Sequence, residues 1–74
     1  MKHVLKIDRE YRDNLLSGRK RVEIRYNDRD YQVGDTLELW VDGDPNDCRF
    51  EITHIHSGLG MAEGYVALSV EKLK

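Results

Sequence analysis

Three charged residues at close spacing, Lys20, Glu23 and Arg25, carry the clearest chemical potential in this 74-residue chain. They lie in Gly18-Arg19-Lys20-Arg21-Val22-Glu23-Ile24-Arg25-Tyr26-Asn27-Asp28-Arg29-Asp30, which runs from a helix-ending glycine through a short strand into a loop. Glu23 and Arg25 stand two apart on that strand, so their side chains are neighbours on one face. A carboxylate and a guanidinium so placed can read a base edge or hold a phosphate. The plainer alternative is a mutual ion pair, which on an exposed face contributes about 0–1 kcal/mol. Strict alternation puts Lys20 on the opposite side, with Val22. It joins the other two only if the strand begins at Arg21 and Lys20 belongs to the preceding turn.

Other groups invite chemical readings of their own. Asn27 and Asp28 suit a turn in which side chains bond the nearby backbone, and Arg29 with Asp30 suits a local ion pair. His54 and His56 lie two apart on a strand and face the same way, a spacing that holds zinc only with further ligands. The expected arrangement is instead one inward, hydrogen-bonded histidine and one exposed, with no metal. The acidic loop Asp42-Gly43-Asp44-Pro45-Asn46-Asp47 lacks the spacing and closing glutamate of a calcium loop. Among the aromatics, Tyr26, Tyr31, Trp40, Phe50 and Tyr65 offer material for stacking bases, although most suit a core or a barrel rim. Trp40 stands apart, because its parity sets it opposite Leu37, Leu39 and Val41. Cys48 has no evident base or oxyanion partner, which argues against a nucleophile.

The totals bound what can position these groups. The chain makes one domain, residues 1–74, near the low end of what folds unaided. Its single cysteine excludes an internal disulfide and points to a reducing, cytoplasmic setting. No signal-peptide pattern and no long apolar run appear, so no membrane role is expected. Residues 1–34 carry nine Lys/Arg against six Asp/Glu, and residues 35–74 three against eight, within a net charge of −2. Basic charge gathered in the first half is compatible with an anionic partner. The overall acidity argues against tight non-specific nucleic-acid binding.

The elements follow from periodicity. Val4 to Ile7 reads as a strand, with His3, Leu5 and Ile7 on one face. Asp8 is a good N-cap for a helix running to about Ser17, with Tyr11, Leu15 and Leu16 as its apolar stripe and Gly18 as its left-handed stop. In the second strand, Arg21 to Tyr26, the residues Val22, Ile24 and Tyr26 are expected on the core face, with Glu23 and Arg25 projecting from the other. Thr36 to Val41 is the third strand, with Leu37, Leu39 and Val41 inward. The loop 42–47 makes a hairpin. In the fourth strand, Arg49 to His56, Ile55 is out of phase with Phe50 and Ile52, which calls for a bulge near Thr53 or an inward His54. The last strand, Tyr65 to Val70, turns Val66, Leu68 and Val70 inward. The order is β-α-β-β-β-β, an α+β chain whose five strands bury most apolar surface by closing into a small barrel with one main helix.

The pattern Gly18-x-Lys20-x-x-Glu23-x-Arg25 resembles the motif of ASCH domains, relatives of the PUA fold. The stretch from Glu23 to Asp35 looks like one small ASCH-like group, the domain-of-unknown-function family numbered 3850. The opening strand and helix and the closing Gly64 to Val70 segment fit as well, so the resemblance covers nearly the whole chain. It implies a PUA-like β-barrel with a cleft between helix and barrel, lined by Lys20, Glu23 and Arg25. It also implies an RNA- or nucleotide-binding role, with the loop Asn27, Asp28, Arg29 and Asp30 part of the pattern.

Some relatives of that superfamily are enzymes. One group deacetylates acetylcytidine with a lysine, a threonine and a glutamate. The lysine matches Lys20, but Glu23 occupies the threonine position, and Glu51 and Glu63 are the only proposals for the glutamate. The leading expectation is therefore a binding module for RNA or a nucleotide, without a cofactor. Lys20, Glu23, Arg25, Asn27, Asp28, Arg29 and Trp40 are its site residues. A small hydrolase of a modified nucleoside or of RNA is one alternative. The other is a protein-interaction accessory domain, bacterial or phage-derived, that uses the acidic second half.

Overall fold

The computed structural model describes residues 1–44 and 48–73. Six elements follow one another: β1 (Lys2–Lys6), α1 (Arg9–Leu16), β2 (Val22–Tyr26), β3 (Thr36–Trp40), β4 (Arg49–Ser57) and β5 (Tyr65–Lys72). The strands form one curled sheet in the order β1-β3-β4-β5-β2, antiparallel except where β1 runs parallel to β3. The expected order of elements and the α+β class hold. The expected closed barrel is instead a half-barrel, because β1 and β2 are its two edges and share no ladder. Two arginine side chains bridge the gap: Arg25 Nη2 donates to the Lys6 carbonyl at 3.1 Å and Arg29 Nη1 to the Val4 carbonyl at 2.7 Å. An edge strand otherwise leaves such carbonyls unpaired.

Leu5, Leu37, Leu39, Phe50, Ile52, Val66, Leu68 and Val70 fill the concave side with Leu15 and Tyr31, as alternation predicts for β1, β3 and β5. The bulge expected near Thr53 is present: Ile52 pairs with Val70 and His54 with Ser69, so Thr53 is the extra residue and Ile55 returns to the core side. The hairpin after β3 turns tightly at Asp42-Gly43. Val41 and Asp44 exchange both backbone hydrogen bonds across it, and φ is +52° at Asp42 and +79° at Gly43. Two successive positive φ angles are the geometry for which Asp-Gly is preferred. Pro45, Asn46 and Asp47, also expected in that loop, lie outside the described residues.

Two face assignments are corrected. In α1 the buried residues are Arg12 and Leu15, one turn apart, while Tyr11 and Leu16 are exposed. A two-turn helix buries only one narrow line, and the 12/15 line is the one set against the sheet. Asp8 holds the N-cap position through its carbonyl, which accepts the Arg12 N–H at 3.0 Å, and its side chain makes no cap bond. The helix stops at Gly18, φ +80°, as expected.

The second correction concerns β2. Glu23 is buried, whereas Ile24 and Tyr26 are 55% and 56% exposed, the reverse of the expected faces. Register supplies the reason. Glu23 pairs with Leu68 and Arg25 with Val66, and directly paired residues share a face. Because Val66 and Leu68 point into the core, Glu23 and Arg25 must point inward too. Strand alternation fixes which residues go together, not which set goes inside.

Candidate functional site

Lys20 reaches the site through the turn after α1. Its N–H donates to the Asn14 carbonyl at 3.0 Å, and β2 begins only at Val22, so Lys20 is free of strand parity. Its ammonium lies 3.4 Å from Glu23 Oε1 and 5.0 Å above the Tyr11 ring. Arg25 takes the other carboxylate oxygen, with Nε at 3.2 Å and Nη2 at 2.9 Å from Glu23 Oε2. The Glu23 side chain is only 7% exposed, against 35% for Lys20 and 27% for Arg25. Two cations around one anion leave the cluster net positive, with both cations reachable from solvent and the carboxylate beneath them.

These residues line an open cleft of about 970 Å³ at the seam between β1 and β2. Trp40 lines it as well, half-buried, its indole N–H donating to Glu38 Oε1 at 2.8 Å. Four of the seven expected site residues therefore converge. The other three do not line this cleft. Asn27 Oδ1 accepts the Tyr31 N–H at 3.2 Å, the turn-forming role open to it in the sequence. Asp28 pairs with Arg29 at 4.0 Å, and Arg29 is engaged with β1 as described. The pair expected between Arg29 and Asp30 is replaced by this one.

Tyr65, one of the five aromatics that could stack bases, lines the cleft too, together with Lys6, Asp8, Tyr11 and Asp42, which the sequence offers only as strand, cap, helix and turn residues. Each comes from a different element or element end, so no local spacing marks them. The histidine expectation is corrected: His54 and His56 are both exposed, because the Thr53 bulge sets both outward, and His56 Nε2 lies 2.9 Å from the Leu59 carbonyl. The inward histidine is His3, with Nε2 2.8 Å from Asp35 Oδ2. Asp35 also accepts from the Met1 amino group and the Gln32 N–H, both at 3.1 Å. The His3 bond and the amino group hold the Asp35 carboxyl down at about 2. The His3 and Tyr31 rings pack T-shaped with centroids 4.8 Å apart, and burial pushes the Tyr31 hydroxyl up.

Two further groups titrate away from their usual range. The Trp40 N–H, with Lys2 and Arg49 nearby, lowers Glu38 against the opposing effect of burial. Burial pushes the Cys48 thiol up, which suits a core residue and not a nucleophile. Among the described residues, no three His, Cys, Asp or Glu side chains gather as metal ligands.

Fold and site together define a small α+β half-barrel domain with a charged cleft at its seam. The chain belongs to the family described as Domain of unknown function (DUF3850), whose model matches residues 2–70. An uncharacterized 12.9 kDa protein in the GpA 3′ region of Escherichia phage P2 is 49% identical over 43 residues, which are 55% of this chain and 39% of that protein. The chain thus spans well under half of that relative. The crystal structure of the hypothetical protein PH0355 superposes with a TM-score of 0.73 at 17% identity, covering 99% of this chain and all of that one, a likeness of fold.

Proposed function

We propose that the domain is an RNA- or nucleotide-binding module of the ASCH and PUA-like kind, working in the cytoplasm. The observation that carries this reading is the convergence of Lys20, Arg25 and Trp40 on one open cleft, above a carboxylate that both cations share. Lys20 and Arg25 hold a phosphate or a base acceptor, and Glu23 accepts from a base amino group when one cation turns to the ligand. Arg29 supports the seam. The resemblance of Gly18-x-Lys20-x-x-Glu23-x-Arg25 to the ASCH motif supports the same conclusion. Quenching of Trp40 fluorescence by short oligoribonucleotides tests it. Binding is expected at low ionic strength and weakens linearly in log–log form with salt, with a shallower slope in Lys20→Ala. Absence of binding to oligonucleotides and nucleosides at low salt overturns it.

A hydrolase reading has one observation in its favour, the 3.4 Å contact of Lys20 with Glu23, which suits proton transfer. It requires turnover of a modified nucleoside or RNA that is lost in both Lys20→Ala and Glu23→Ala.

A further inference from the structure

The inverted β2 puts apolar side chains on the outside. Tyr26 and its cross-strand partner Tyr65 are 56% and 42% exposed, with ring centroids 5.4 Å apart and planes at 76°. Both rings stand on the rim of the cleft that holds Lys20 and Arg25. Tyr26 is exposed yet fixed in place. Its ring lies so close over Gly64 that a Cβ there would come within 2.5 Å of Cε1, and the Asn27 N–H is bonded to the Gly64 carbonyl at 2.8 Å. A rigid, solvent-facing aromatic loses little freedom when it packs on a flat ligand. Exposed aromatics beside solvent-reachable cations such as Lys20 and Arg25 are the combination that holds unpaired bases by their faces while the backbone is held by charge.

We infer that Tyr26 and Tyr65 form a stacking platform for one unpaired base of a single-stranded polynucleotide whose phosphate Lys20 and Arg25 hold, an inference that rests on the nucleic-acid reading of the cleft. The cleft lining balances Lys6, Lys20 and Arg25 against Asp8, Glu23 and Asp42, and the reach of Lys20 and Arg25 to solvent above the buried Glu23 favours a ligand carrying phosphate over a neutral apolar partner. A duplex is excluded as the preferred ligand, because its base faces are already stacked. Since the rings stand nearly perpendicular, one lies flat against the base and the other presents its edge.

The test measures binding of three probes by Trp40 fluorescence: a short single-stranded oligoribonucleotide, the same strand with abasic residues, and its blunt duplex. Tyr26→Ala is expected to weaken binding of the single strand about tenfold and leave the salt slope unchanged, since no phosphate contact is lost. Tyr26→Phe retains the ring and binds within about twofold of the parent. The parent binds the abasic strand as weakly as Tyr26→Ala binds the intact one. Circular dichroism melts confirm that each variant is folded. If the single strand binds while Tyr26→Ala and Tyr65→Ala are unaffected, or the duplex binds as tightly, the platform is overturned and the cationic site stands. If no probe binds at low salt, both fall. Self-association that Tyr26→Ala abolishes, with oligonucleotide affinity unchanged, also overturns the platform and makes the patch a protein interface.

Discussion

Glu23 is the pivot of the cleft, and its two partners hold it unequally. Arg25 reaches it with two nitrogens, whereas the more exposed Lys20 makes one longer contact. Losing Glu23 leaves two cations facing each other without their shared anion. Glu23→Ala is expected to destabilise the fold by about 1–3 kcal/mol, and Lys20→Ala by about 0–1 kcal/mol, in urea unfolding at neutral pH. Asp35 gives a second residue-level expectation. Its folded value of about 2 lies below the ordinary 3.8, so folding favours the ionised form. That contribution is fully present above about pH 4 and is lost as pH falls through about 2. Thermal melts between pH 5 and pH 2 should therefore show an acid loss of stability that is reduced in Asp35→Asn.

At the scale of elements, glycines with similar backbones should behave differently. Gly34 and Gly64 both have positive φ, +95° and +83°, but only Gly64 has a side chain over it. Gly34→Ala carries backbone strain alone, about 1–2 kcal/mol, whereas Gly64→Ala adds displacement of the Tyr26 ring. Melts of both variants, with aromatic proton shifts of Tyr26, distinguish the two. Much of this level was legible in the sequence. Leu37, Leu39, Val66, Leu68 and the phase break at Thr53 report their faces by alternation alone. The faces of β2 were not legible, because they are set by its register with β5, some forty residues away in sequence. The buried line of α1 is not legible either, because it pairs Leu15 with Arg12, a residue no hydrophobic pattern selects. The core of the site was legible because Lys20, Glu23 and Arg25 are sequence neighbours. Lys6, Tyr11 and Tyr65 were not, because only the fold brings them there.

For the molecule as a whole, the uneven charge along the chain becomes an uneven charge in space. β1, α1 and β2 all come from the basic first 34 residues, and they flank the seam and its cleft. The acidic remainder supplies β3, β4 and β5, the middle of the sheet. The seam is held by Arg25 and Arg29 where a closed barrel would have a ladder. Arg29→Ala is expected to lower stability by about 0.5–1.5 kcal/mol. It should also speed amide exchange at Ile7, whose N–H holds the end of β1 to the Trp40 carbonyl. The same seam has a consequence for how fast the chain assembles. β3, β4 and β5 follow one another in sequence and pair as neighbours, whereas β1 and β2 each join a strand far along the chain. Short loop closures precede long ones. The central three strands are therefore expected to form the folding nucleus, with the two edges docking late. Arginine contacts made at that last step belong to the native state and not to the barrier. Arg29→Ala should accelerate unfolding in stopped-flow chevrons and leave the refolding limb where it was.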